Sequence, residues 1–216
     1  MQVEIWSDVV CPWCYIGKRR FERALADFEH ADEVDVVWRS FELDPSAPAT
    51  IDVDLIDRLA SKYGVSRDKA EAMNARVSGI AAEEGLTYRL DIARPGNTFD
   101  AHRLLHLGAE LGVQHELGER LLATYQSEGQ PIADHDTLLK AAIAVGIDET
   151  AARAVLDSDR FADAVRADEE TGRQLGITGV PFFAIDRRYG VSGAQSSEVI
   201  LNALEEAWAA RSPDPS

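Results

Sequence analysis

Apolar and polar positions alternate over Gln2-Val3-Glu4-Ile5-Trp6, the period of a half-buried strand. The period changes near Pro12. Phe21, Leu25 and Phe28 recur at i, i+4 and i+7, with Lys18, Arg19, Arg20 and Glu22 between them, which predicts a long helix. Val34-Asp35-Val36-Val37-Trp38-Arg39-Ser40-Phe41 is β-branched and aromatic and predicts a second strand. Strand, long helix, strand makes a βαβ unit with parallel strands and a right-handed crossover. Asp44-Pro45 and Ala47-Pro48 end it in a loop.

From about Ile51 to Leu175 every signal is helical. Ile51, Leu55, Ile56 and Leu59 share one face and stop at Gly64; Ala70, Met73, Val77 and Ile80 share another, with Ser66 as N-cap and Gly85 as stop. Pro95-Gly96 predicts a turn, and Thr98 a cap for a helix carrying Ala101, Leu104, Leu105 and Leu111. Leu117 to Tyr125, Leu138 to Val145, a short helix capped by Asp148, and a longer one from Phe161 to Leu175 complete the run. Strands return after Gly179-Val180-Pro181, as Phe182-Phe183-Ala184-Ile185 and again from Tyr189. Ser196 or Ser197 caps a last helix with Val199, Ile200, Ala203, Leu204, Ala207 and Trp208 on one stripe. The expected division is an α/β unit of residues 1–45 and 176–211, a helical insertion of residues 46–175, and a frayed tail of residues 212–216.

Composition narrows the partners. The chain has 216 residues and a net charge of −16, which repels nucleic acid and anionic membrane. No run approaches the ~18 apolar residues of a membrane-crossing helix, and no leader pattern is visible, so the expected location is cytoplasmic. Only two cysteines occur, Cys11 and Cys14, at the step from the first strand into the first helix. A helix N-terminus has unpaired N–H groups and the positive end of the macrodipole, both of which favour a thiolate. In a reducing compartment such a pair is catalytic or metal-binding rather than a structural staple. With no second cysteine pair, a zinc site is the weaker reading, and no metal is expected. His102 and His106 stand four apart on one helix face, but no Asp, Glu or Cys nearby in sequence completes a ligand set. Asp8 would oppose a thiolate on Cys11 unless its carboxylate points away, or it could accept the proton of Cys14.

Four segments carry a family likeness: Ser7-Asp8-Val9-Val10-Cys11-Pro12-Trp13-Cys14-Tyr15-Ile16-Gly17, Asn97-Thr98-Phe99-Asp100-Ala101-His102-Arg103, Gly179-Val180-Pro181-Phe182-Phe183, and Gly190-Val191-Ser192-Gly193-Ala194-Gln195. The chain resembles the DsbA superfamily of thiol–disulfide oxidoreductases, and within it the FrnE-like proteins, relatives of hydroxychromene-carboxylate isomerases and kappa-class glutathione transferases. The resemblance implies a thioredoxin fold (β-α-β, then β-β-α) with a large all-helical insertion. It implies Cys11 as exposed nucleophile and Cys14 as buried resolving thiol. Pro12 and Trp13 would tune the pair, and Val180 would lead into a cis Pro181 facing it. Asp8, Asn97, His102 and Gln195 would line a substrate groove. No cofactor is implied beyond the cysteine pair itself. The expected partners are thiol- or disulfide-containing proteins or small molecules. A glutathione-dependent isomerase is the first rival, but such relatives carry serine at the nucleophile position, and Gly193-Ala194 stands where they hold glutathione with a Ser-Asp pair. A non-enzymic peptide-binding or chaperone module is the second. Oligomeric state is not legible.

Overall fold

The structure, a computed structural model, describes residues 1–49 and 54–211. The alternating N-terminal run forms β1 (Gln2–Ser7), followed by α1 (Pro12–Asp27), a short 3-10 turn at Ala31–Glu33, and β2 (Asp35–Ser40). Seven helices follow among the described residues: α2 (Leu55–Tyr63), α3 (Arg67–Glu83), α4 (Phe99–Glu110), α5 (Gln114–Gln126), α6 (His135–Ala144), α7 (Glu149–Leu156) and α8 (Ala162–Gln174). Then come β3 (Phe182–Ile185), β4 (Tyr189–Ser192) and α9 (Ser197–Ala209). The sheet has the order β2-β1-β3-β4, parallel between β1 and β2 and antiparallel elsewhere. Ile51 and the tail from residue 212 lie outside the described residues.

Strand alternation assigns the two faces of the sheet. Val3, Ile5, Phe183, Ile185 and Val191 point to one side, where Phe21, Ala24 and Phe28 of α1 and Ile200, Leu204 and Ala207 of α9 cover them. Each such large side chain buried contributes about 1.5–3 kcal/mol. Trp6 and Ala184 point to the other side with Ile177. There Trp6 Nε1 donates to the Asp168 carbonyl at 2.9 Å, and a Cβ on Gly172 would stand 2.9 Å from that same nitrogen. Both partners are on α8, which therefore seals the second face. α8 thus packs on the sheet as well as on α4 of the insertion. Periodicity alone marks α8 as a helix without saying that it also covers the sheet.

A second and larger core joins α3, α4, α5, α6 and α7, and it reaches Val9, Cys11, Cys14, Tyr15 and Ile16 at the start of α1. The insertion is continuous with the cysteine end of the first helix, so the pair sits at the edge of the insertion's core. Local signals held at several helix ends: Ser66, Asp148 and Ser196 each accept from a first-turn N–H. Two expectations change. Thr98 makes no side-chain cap; Asn97 Oδ1 takes the Phe99 N–H at 2.8 Å instead. Pro95-Gly96 runs without a turn. Lys18, one of the polar positions between the apolar repeats of α1, is only 2% exposed.

Candidate active site

Cys11 is the N-cap of α1, and Pro12 is its first helical residue, where a missing N–H is harmless. Cys14 lies one turn in, and its N–H donates to the Cys11 carbonyl at 3.1 Å. Both thiols are free, and both are buried, at 4% and 1% exposed. The exposed nucleophile expected at Cys11 is thus covered in this structure. Its Sγ stands 3.4 Å from the Val180 carbonyl oxygen, and Val180 packs on the same core. The thiol is placed to donate to that oxygen. Trp13, by contrast, is 40% exposed beside the pair.

The Val180–Pro181 peptide is cis. The proline is held from two sides. Its carbonyl accepts the Gly193 N–H at 2.8 Å, and its ring rests on α1 at Gly17, where a Cβ would come within 2.8 Å of Pro181 Cγ. Only glycine lets the helix and the loop approach this closely.

Burial pushes the Cys14 thiol well above its usual value, and the neighbouring Cys11 pushes it further; the Ser7 side chain and the Asp8 N–H, which reaches Cys14 Sγ at 3.5 Å, pull the other way. Tyr88 closes the site from the stretch between α3 and α4. Its hydroxyl donates to the Pro12 carbonyl at 2.6 Å, and burial, then the two cysteines, push its own ionisation upward. Tyr88 stacks on Tyr15, with ring centroids 6.2 Å apart.

Of the expected groove residues, the structure brings none to the sulfurs through its side chain. Asp8 is buried, and its carboxylate accepts from the Leu43 N–H at 2.7 Å. It therefore points away from Cys14 and meets it only through its backbone. His102 is buried against Asp8, Nε2 to Oδ1 3.5 Å, and neither ring nitrogen has a hydrogen bond among the described residues. A groove residue must be reachable from solvent, and these two are not. His106 turns elsewhere, to Ser40 Oγ and Asp168, both at 3.2 Å. Asn97 caps α4 and donates to Glu42 at 3.3 Å. Burial lifts that Glu42 carboxyl above its usual range, although Arg166 is its ion partner. Gln195 is exposed and folds back on the Ser192 carbonyl at 2.9 Å; its loop braces Pro181, but its amide does not face the cysteines. Among the described residues, no group of three or more His, Cys, Asp or Glu could hold a metal ion, and no helix is long and apolar enough to cross a membrane.

Sequence reasoning missed Tyr88, Ser7 and the setting of Lys18. Tyr88 sits between Leu86 and Leu90 in a stretch without helical period, and that short apolar alternation was the available signal.

Residues 2–205 match the model of a family described as the DSBA-like thioredoxin domain. A solved structure of a probable DsbA oxidoreductase, SCO1869 from Streptomyces coelicolor, superposes with a TM-score of 0.95 at 47% identity, over 100% of this chain and 93% of that one. The cytosolic disulfide reductase DsbM from Pseudomonas aeruginosa, solved with GSH, superposes with a TM-score of 0.66 at 18% identity, over 97% of this chain and 100% of its own, a likeness of fold. YwbO of Bacillus subtilis (strain 168), itself uncharacterized, is 27% identical over 208 residues, covering 95% of this chain and 96% of that protein.

Proposed function

This chain belongs to the DSBA-like thioredoxin domain family, and from that premise we propose that it is a thiol–disulfide oxidoreductase working through Cys11 and Cys14. The observation that carries the reading is the meeting of Cys11 Sγ with the Val180 carbonyl at the mouth of α1, with Cys14 buried one turn behind. In the forward step the Cys11 thiolate attacks a substrate disulfide sulfur; one S–S bond forms as another breaks, and a substrate thiolate leaves. Cys14 then attacks Cys11 Sγ, closes the 11–14 disulfide and releases the second substrate thiol. The two electrons that reduce the substrate come from the cysteine pair. Val180, just before β3, is placed to present backbone to an extended substrate. Exposed Trp13 offers an apolar surface beside it. Protein disulfides and glutathione-type disulfides both fit this chemistry, and the cytoplasm is its proposed setting.

Retention of two cysteines supports exchange over isomerase chemistry of the glutathione-dependent kind, which needs only one anchoring group. The test is trapping. Cys14→Ser should accumulate a mixed disulfide on Cys11 with insulin or with oxidised glutathione, and Cys11→Ser should abolish exchange. Turnover that survives Cys11→Ser would overturn the assignment.

A further inference from the structure

Cys11 stands between two pieces of backbone that the helical insertion holds through side-chain donors. Before it, residues 8–11 form a tight turn, closed by the Cys11 N–H on the Asp8 carbonyl at 3.1 Å. Inside that turn the Val9 carbonyl accepts from Gln126 Nε2 at 3.3 Å. After it, the Pro12 carbonyl accepts from the Tyr88 hydroxyl at 2.6 Å. Gln126 is the last residue of α5, and Tyr88 lies between α3 and α4. The two donors are tied to each other, because the Arg89 N–H donates to the Gln126 carbonyl at 2.7 Å. Tyr88 is fixed further by its stack on Tyr15.

Stability does not account for either bond. Pro12 opens α1, so its carbonyl already receives the N–H four residues on, and the Tyr88 bond is a second one. Gln126 is wholly buried. It satisfies the Val9 carbonyl, but its own Oε1 has no hydrogen bond among the described residues. A buried amide with one end unmatched is costly, so the fold gains little from it. Asp8 is the one charged side chain from Asp8 to Cys14, and it is directed to the Leu43 N–H and His102.

We propose that Gln126 and Tyr88 are positioning residues for Cys11, a clamp by which the insertion sets the nucleophile. They fix the backbone on both sides of Cys11 and so hold its Sγ at the Val180 carbonyl. They also engage two carbonyl oxygens that flank Cys11 in the chain. That weakens the repulsion those dipoles exert on the anionic sulfur of the attacking form.

The inference rests on the oxidoreductase reading, and a glutathione buffer separates the two. Wild type that forms no 11–14 disulfide in it refutes the function itself; wild type that does, with variants that match it, refutes the clamp alone. The variants are Tyr88→Phe, Gln126→Met and the pair together. In urea melts each single variant should stay close to wild type. Tyr88→Phe leaves the Pro12 carbonyl its helical bond, and Gln126→Met exchanges one unmatched oxygen, its own, for that of Val9. Alkylation of reduced Cys11 by iodoacetamide at neutral pH, followed by mass spectrometry, should slow about 3–10-fold in each. The equilibrium with glutathione should shift toward the protein disulfide by about threefold, because the reduced form loses the groups that favour its anionic sulfur. Losses in the double variant should fall short of the product of the single losses, since both bonds hold one turn. An alkylation rate and a glutathione equilibrium unchanged in Tyr88→Phe, the smaller perturbation, overturn the clamp. A weaker melt with the equilibrium unmoved does the same, because that is the result of a merely structural role.

Discussion

Gly17→Ala tests whether the contact between α1 and Pro181 sets the geometry of the site. The new Cβ would fall 2.8 Å from Pro181 Cγ, 3.4 Å from its Cβ and 3.5 Å from Phe183 Cζ. Carbon atoms rest about 3.5–4.0 Å apart, so the proline must retreat by roughly 0.7–1.2 Å. Its ring cannot rotate out of the way as a flexible side chain could, and Phe183 behind it is buried. Overpacking of this kind costs about 1–3 kcal/mol, offset by about 1 kcal/mol because alanine is the better helix former. The net loss of stability should be about 0–2 kcal/mol. Activity should fall further than stability. A retreating Pro181 takes Val180 with it, and the 3.4 Å contact with Cys11 Sγ opens. Misplacement by about 1 Å can reduce a rate about 100-fold, so exchange should fall about 10–100-fold. Gly79→Ala is the control: Gly79 also lies inside a helix, α3, and an added Cβ there meets nothing within 4 Å. That variant should gain up to about 1 kcal/mol and keep full exchange. The assays are urea melts and insulin reduction on both proteins. If Gly17→Ala matches Gly79→Ala in both, the close approach has no role in positioning the loop.

Three further outcomes follow from other contacts. Burial raises the Cys14 thiol in the folded protein, so its contribution to stability is complete below the unfolded value of about 8.5 and is lost as pH rises toward the higher folded value. Reduced wild type should therefore weaken in melts above about pH 8.5, and Cys14→Ala should remove that slope; an unchanged slope refutes the assignment. Glu22 has the opposite sign. Burial pushes it up, but hydrogen bonds from His115 and Lys18 outweigh this and bring it down to about 2; its stabilisation is present above the unfolded value and lost as pH falls toward 2, so Glu22→Gln and wild type should converge in acid melts. Asn97→Ala removes the cap of α4 and should cost about 1 kcal/mol with exchange through Cys11 kept; a selective loss of exchange would return Asn97 to the substrate site.

The sheet and the cysteine helix were legible because their determinants are local. Alternation at Val3 and Ile5, the βαβ spacing, and caps at Ser66, Asp148 and Ser196 depend on residues a few positions apart. The cover that α8 gives the sheet was not legible. Its contact with Trp6 spans 162 residues and depends on a glycine small enough to admit an indole. Nothing within α8 distinguishes a glycine that receives Trp6 from one that merely weakens a helix.

The same separation of local from distant explains the site. Cys11, Cys14 and Pro12 announce themselves within one turn of helix, but what surrounds them comes from elsewhere in the chain. Asp8 left two readings open, toward or away from the sulfurs, and the Leu43 N–H, 35 residues on, decides between them. Lys18 fell among the polar positions between the apolar repeats of α1, and nothing near it in sequence marks it as buried. Its burial becomes tolerable only when α5 delivers Glu119 and His115 from about a hundred residues away. A charged residue inside a helix periodicity is ambiguous until its counter-charges are placed, and they are placed by packing. This is why the nucleophiles of such a protein are found by motif, whereas the buried charges around them are found by structure.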